Sequence, residues 1–299
     1  MITKEATAAA PAPERAAPAP PRPARKHRPA WDEIPRWQIY LPLGGYLVFT
    51  LIPFYWILLF SLRPAGSTSL VPWPVTFDHF EKVWTERSFG TYFGNSVLVG
   101  VATLVMTTLV ALAGGYALAR FDFKVKRVFM LALLCSQFVP GALLLVPLFE
   151  IFAELRMINS LVSVIIAETV FQLPLSMILI SNFIKNVPYS LEEAAWVDGC
   201  GRMRAFRIVV LPLLRPGLIA VGSFAFVHSW NHFLFALMFL NNQGKQTIPV
   251  GLNTLMSADS VDLGALAAGG IVAAVPVVIV FAFIQKWLIT GFSAGAVKG

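Results

Sequence analysis

Six apolar runs, each about twenty residues or longer, constrain this chain more than any other feature. They read roughly Ile39 to Leu62, Ser96 to Leu118, Val128 to Phe152, Leu161 to Phe183, Leu218 to Leu240 and Leu266 to Ile284. A bilayer core takes about 20 consecutive apolar residues per helix, and a backbone in hydrocarbon must satisfy its own hydrogen bonds. The runs therefore predict an all-α membrane protein with six transmembrane helices. Composition agrees, with 57% hydrophobic and 13% charged residues, where a soluble domain carries about a quarter charged. Pro53, Pro140, Pro147, Pro174 and Pro276 fall inside these runs. Proline frees a carbonyl that neighbouring helices can satisfy, so most of them predict kinks and one or two a hinge.

Charge placement predicts orientation. Of the 23 Lys and Arg residues, only Arg63, Lys82, Arg87, Arg156 and Lys245 fall on one side of the six-span arrangement. The remainder lie on the other, which by the positive-inside rule is cytoplasmic and carries both termini. This distribution accounts for the net charge of +7 with no nucleic-acid partner. Residues 1–37, rich in Ala, Pro and Arg, are expected to form a disordered cytoplasmic tail, and residues 38–299 a transmembrane domain. No apolar h-region precedes the first long run, so that run is expected to be an uncleaved membrane helix. Outside the membrane, Arg63 to Asn95 reads as a turn-rich piece followed by a short amphipathic helix. Asn241 to Gly264 is expected on the same side.

Catalytic and cofactor signatures are missing. Gly244-Lys245-Gln246-Thr247 lacks the first glycine and the Ser/Thr of a phosphate-binding loop, so no nucleotide or other cofactor is expected on this chain. His228 and His232 have helical i, i+4 spacing, but Ser229 stands where a zinc protease motif has Glu, and no metal site is expected. Cys135 and Cys200 have no zinc spacing, and no Gly-x-Ser-x-Gly elbow occurs. Polar residues inside the runs are costly: Gln137, Glu168, Gln172, Asn182, Asn231 and the two histidines. An ionised Glu168 would need pairing or a wet cavity; otherwise it is protonated. Gln172, Trp230, Asn231 and His232 combine amide and aromatic chemistry that suits a sugar, and form the candidate substrate path. Packing glue between helices is the other reading of the same residues.

Residues 186–216 are the most polar connection and contain SLEEAAWVDGCGRMRAFRIVVLPLLRP. Ser190 and Glu193 have the spacing of a capping box, and Glu192 and Glu193 suit the positive end of a helix dipole. Gly199 or Gly201 can end that helix in the left-handed conformation, and a second helix follows from Arg202. Glu192, Glu193 and Asp198 lack a nucleophile or ligand set, which argues against catalysis. A lipid-surface helix would explain the arginines but not the capped acidic start. Docking of a partner explains both.

Glu193-Ala194-Ala195, Gly199, Val209 and Leu211-Pro212 keep the spacing of the EAA loop of permease subunits of binding-protein-dependent ATP-binding-cassette importers, which this segment resembles. Val209 replaces the usual isoleucine, and Asp198 looks like the family's Asp before the glycine. Phe93-Gly94-Asn95-Ser96 resembles the start of the family's second helix. The ending from Gln285-Lys286-Trp287 to Lys298-Gly299 is similar to that of the maltose-type carbohydrate permeases. Trp230-Asn231 is a phrase common in those permeases, where an acidic residue often follows; here His232 follows. The likeness covers roughly Tyr40 to Gly299.

The resemblance implies a type I importer permease that couples a carbohydrate path to ATP hydrolysis in other chains. Expected partners are a second permease subunit forming a heterodimer, two cytoplasmic ATPases carrying ATP and Mg, an extracytoplasmic solute-binding protein and membrane lipid. It also implies that Glu193, Ala194, Ala195, Asp198, Gly199, Val209, Leu211 and Pro212 form the ATPase-coupling element, with the C-terminal tail reaching the same interface. The alternative is a proton- or ion-coupled secondary transporter using Glu168 and His228 as a relay.

Overall fold

The computed structural model describes residues 35–256 and 261–296. The tail expected over 1–37 lies outside them except at its end, where the first helix already begins at Arg36. The C-terminal signature from Lys286 onward lies outside the described side chains. The chain divides after Leu51. Residues up to Leu51 contribute the opening part of the first helix, and the packing and sites described below lie among the described residues after Leu51.

In order come α1 (Arg36–Leu62), α2 (Asp78–Thr85), α3 (Phe89–Arg120), α4 (Lys126–Ser136), a 3-10 turn (Gly141–Leu144), α5 (Leu145–Glu154) and α6 (Leu161–Lys185). Next are α7 (Ser190–Val197), α8 (Arg202–Ala205), a π turn (Phe206–Val210), α9 (Leu211–Leu213) and α10 (Arg215–Asn231). The chain closes with α11 (Leu234–Phe239), a 3-10 turn (Gln243–Lys245), α12 (Ile248–Met256) and α13 (Leu263–Ala296). No strand occurs among the described residues.

Four helices, α1, α3, α6 and α13, are each long and apolar enough to cross a membrane. Two further candidates are bent: α4 meets the Gly141–Glu154 segment at 94°, and the Arg202–Leu213 segment meets α10 at 73°. Counting each bent pair as one span restores the expected six. The first bend lies at Pro140, whose backbone is extended; proline removes an N–H and pushes the preceding residue out of the helical region. Pro174 and Pro276 sit inside helices that continue past them. Pro212 and Pro216 stand in the first turns of α9 and α10, where the missing N–H costs nothing.

The structure departs from the predicted span Leu218 to Leu240. Helix α10 stops at Asn231, and His232 is extended at φ −76°, ψ 124°, with its N–H returned to the Ser229 carbonyl. Neither Gly nor Pro marks this break, and an apolar count cannot see it. Within Asn241 to Gly264 the chain builds α12, a helix for which no sequence expectation was set. The amphipathic helix expected before Asn95 is α2.

Helix α3 forms the spine, packed against α6 and α10. Near one end its Phe89 and Tyr92 join Phe226, Trp230, Ile248 and Ala268. Midway, Val99 joins Val164, Ala167, Phe235 and Phe239. Toward the other end, Ala111 joins Ile180, Ile184, Val210 and Leu214. Gly115 lets α3 and α6 approach closely, since a β-carbon there would lie 2.7 Å from Ile180 Cγ2. Small residues of this kind are how membrane helices gain contact without a hydrophobic driving force. Asn95 and Ser96 stitch the spine to the segment before α12. The Asn95 amide donates to the carbonyls of Gly244 and Gln246 at 3.1 and 2.9 Å, and Ser96 Oγ accepts the buried Ile248 N–H at 2.8 Å.

Candidate functional site

The polar connection folds as helix, glycine turn and second helix. The capping box expected of Ser190 and Glu193 does not form: Ser190 is already the first residue of α7, and no side chain caps it. The chain turns earlier than expected, at Pro188 and Tyr189, whose carbonyls accept the N–H groups of Leu191, Glu192 and Glu193. At the other end the helix closes as the glycine predicts. Gly199 has φ +82°, its N–H bonds to the Trp196 carbonyl, and the Cys200 N–H bonds to the Ala195 carbonyl. This is a Schellman motif, which needs the left-handed residue that glycine supplies without steric cost. Gly201 instead leads into α8 with an ordinary negative φ.

The two glutamates part company. Glu192 is 1% exposed and faces the end of α3, where Arg120 Nε donates to its Oε1 at 2.6 Å and Tyr116 Oη donates to its Oε2 at 2.8 Å. Arg120 also donates to the Val187 carbonyl at 3.0 Å and lies over the Tyr189 ring. Ala195, one turn along from Glu192, is buried on the same face. Glu193, Ala194, Val197 and Asp198 are exposed, Val197 at 88%. Trp196 packs edge-on to Tyr189 and under the Arg202 guanidinium. Val209, Leu211 and Pro212 are half-buried where the chain returns to α10, around the buried Val210 and Leu214. The result is a short helix with one face tied to the bundle and the other free.

Arg120 and Tyr116 escaped the sequence reading. They stand more than seventy residues from Glu192, so no local spacing links them, and Arg120 registered only as a basic residue near a membrane edge. An Arg ending an apolar run, together with a doubled Glu in the facing loop, is the weak signal that could have paired them.

The four candidate path residues do not converge on one surface. Gln172 is buried and donates to the Ala225 carbonyl at 3.3 Å, joining α6 to α10. Trp230 is buried, its indole N–H donating to the Ala273 carbonyl at 2.9 Å, with its ring stacked on Phe226. Trp230 and Asn231 border a cavity of about 380 Å³ with Phe233, Pro249, Asn253 and Met256. His232 borders a different cavity of about 190 Å³, shared with Gln137, Phe171 and His228. Behind His228 and His232 lies Glu168, fully buried in α6. Among the described residues no group of three His, Cys, Asp or Glu could hold a metal ion.

Comparisons with known proteins bear on both regions. A family model described as "Binding-protein-dependent transport system inner membrane component" matches residues 108–293, which takes in the whole polar connection. The diacetylchitobiose uptake system permease protein DasC of Streptomyces coelicolor is 34% identical over 252 residues, covering 83% of this chain and 91% of that protein. The arabinooligosaccharides transport system permease protein AraQ of Halalkalibacterium halodurans is 32% identical over 271 residues, covering 88% and 96%. A chain from the crystal structure of a bacterial ABC transporter that imports the acidic polysaccharide alginate superposes with a TM-score of 0.73 at 21% identity, over 87% of this chain and 98% of that one. This last likeness speaks for the fold: an all-α type I importer permease. Nothing in these comparisons supports the secondary-transporter alternative. With the family model spanning more than half of the chain, and relatives above 30% identity matched along most of their length, this chain belongs to the inner-membrane components of binding-protein-dependent transport systems, the permease subunits of ATP-binding-cassette importers.

Proposed function

We propose that this chain is one of two permease subunits, most simply of a heterodimer, that together form the path for a di- or oligosaccharide. Diacetylchitobiose and arabino-oligosaccharides are named for relatives matched over most of their length, and that supports the substrate class. Two cytoplasmic ATPases, carrying ATP and Mg, drive the path between inward and outward access, and an extracytoplasmic binding protein delivers the sugar. The polar connection and both termini face the cytoplasm, as the distribution of Lys and Arg suggests. Asn231 and His232 border the route, while Gln172 and Trp230 hold the helices that frame it.

The observation that carries this reading is the two-faced helix α7. Its inner face, Glu192 and Ala195, is fixed to α3 by a buried ion pair. Its outer face offers Glu193 for a basic residue of the ATPase, with Ala194, Val197, Asp198 and the Gly199 turn permitting close approach. A coupling element must transmit displacement without melting, and a helix anchored on one side does this. Co-purification of the ATPase with the affinity-tagged permease tests it. Glu193→Lys is expected to reduce the ATPase recovered by about tenfold, roughly one lost charge-assisted contact, with permease level in the membrane unchanged. Recovery equal to wild type removes Glu193 from the interface.

A further inference from the structure

Two interruptions of helical backbone meet at one place in the bundle. One is the bend from Ser136 to Gly141, the other the break of α10 at His232. Irregular backbone at membrane depth persists where it lines a cavity or is buried in protein. Here it lines one, of about 190 Å³, whose walls include Gln137, Gly141, Phe171, His228, His232 and Phe235. That volume lies below the roughly 300–1,000 Å³ of pockets that bury drug-sized ligands; it has room for one sugar ring and not for a whole oligosaccharide.

Glu168 lies against the two histidines that border this cavity, with no exposed surface. His232 Nδ1 is 2.7 Å from its Oε1 and His228 Nδ1 is 3.4 Å from its Oε2. Neither approach has hydrogen-bond geometry, and both carboxyl oxygens lack a hydrogen-bond partner among the described residues, so the contact is electrostatic. The two rings stack with centroids 5.4 Å apart, and His232 is also held against Phe235 at 4.5 Å. A ring nitrogen that bears its proton turns positive hydrogen toward a carboxyl oxygen, whereas a bare one sets a lone pair against it, so the charge contact favours Nδ1–H. A neutral ring protonated at Nδ1 leaves Nε2, across the ring, as an acceptor.

On the reading of this chain as a sugar permease, we propose that Glu168 is a positioning residue. It fixes the tautomer and rotamer of His228 and His232 so that their Nε2 atoms, the Gln137 amide and the Phe171 face form a subsite for one sugar ring. The histidines accept from ring hydroxyls, Gln137 both donates and accepts, and Phe171 covers the apolar C–H face of the ring.

The test uses the full importer, with its binding protein and ATPases, in proteoliposomes. Probes are ¹⁴C-labelled diacetylchitobiose, arabinotriose, trehalose and maltose. Glu168→Gln keeps shape and removes charge; it is expected to lower uptake of the transported probe about tenfold, in line with losing one oriented hydrogen bond. Gln137→Leu, which leaves Glu168 untouched, is expected to lower uptake to a similar extent. ¹⁵N spectra of the histidines, assigned by difference against His228→Asn and His232→Asn, should show Nδ1–H in wild type and in Gln137→Leu, and mixed tautomers in Glu168→Gln. Uptake within twofold of wild type in Gln137→Leu, or a tautomer unchanged by Glu168→Gln, overturns the inference while leaving the permease reading intact. Should Glu168→Gln fail to assemble, uptake by Gln137→Leu and the wild-type spectrum decide. ATP-driven uptake of none of the probes by the wild-type complex overturns the sugar reading and this inference with it.

Discussion

At the scale of single residues, the most consequential pair in the coupling region is Arg120 and Glu192. Both side chains are nearly or fully buried, at 9% and 1% exposure. Two charges taken out of water are tolerable only when paired and hydrogen-bonded, and removing one partner leaves the other stranded at a cost of roughly 3–5 kcal/mol. Arg120→Ala or Glu192→Ala should therefore lower the detergent-solubilised melting temperature and impair transport, whereas Glu193→Ala, at an exposed site, should change melting within experimental error. The exchange Arg120→Glu with Glu192→Arg should recover part of the loss, because the pairing matters more than its direction. Equal melting of Glu192→Ala and Glu193→Ala would remove this distinction. The sequence singled out Glu193, which begins the Glu-Ala-Ala motif, and gave Glu192 no role beyond its place at the positive end of the helix. That Glu192 is an anchor and Glu193 is exposed depends on α3, which lies far away along the chain. Ser190 illustrates the opposite failure. Its capping role was a sound local expectation, overtaken because Pro188 and Tyr189 had already turned the backbone.

At the scale of elements, α2 is latched to the start of α13. Lys82 Nζ donates to Asp262 Oδ2 at 2.8 Å, the Ala265 N–H bonds to Asp262 Oδ1 at 3.0 Å, and His79 Nδ1 lies 3.9 Å from the same oxygen. Burial pushes the Asp262 carboxyl upward, but the Lys82 hydrogen bond, the Ala265 N–H and the nearby positive charges outweigh it and hold the group below its ordinary value of 3.8. A carboxylate so depressed stabilises the folded latch above its unfolded pKa, and that stabilisation is lost as pH falls through the folded one. Amide protection in α2, taken relative to the intrinsic exchange rate at each pH, should fall on acidification below about pH 4, and Asp262→Asn should be less protected at neutral pH and lose the acid dependence. A flat pH response in the wild type would contradict the latch. This contact and α12 were illegible in the sequence for one reason: segments outside the membrane carry no long apolar run, and their partners are distant. The helix breaks were hidden differently. Pro140 was indistinguishable in sequence from Pro174 and Pro276, through which α6 and α13 run on, and the break at His232 has no helix-breaking residue. His232 at that break lies against Glu168 of α6, a tertiary fact.

For the whole molecule, much of the architecture was legible because the membrane imposes a simple rule on it. Apolar length defined the spans, and the spacing from Glu193 to Pro212 marked the helix–turn–helix connection, since a helix, a left-handed glycine and a return to the membrane each leave a local mark. The substrate path was less legible. Gln172 and Trp230 hold α6, α10 and α13 together, Trp230 also borders a cavity with Asn231, and Gln137, Glu168 and His228 come together around His232 only after two helices break. In the proposed role this chain is part of a path whose energy source lies in another protein, and that dependence is directly open to measurement. Membrane vesicles containing the assembled importer, loaded with ATP and supplied with sugar-bound binding protein, should accumulate the sugar with the proton gradient collapsed by an uncoupler. Accumulation that persists without ATP or the ATPase subunits, and stops with the uncoupler, would contradict it.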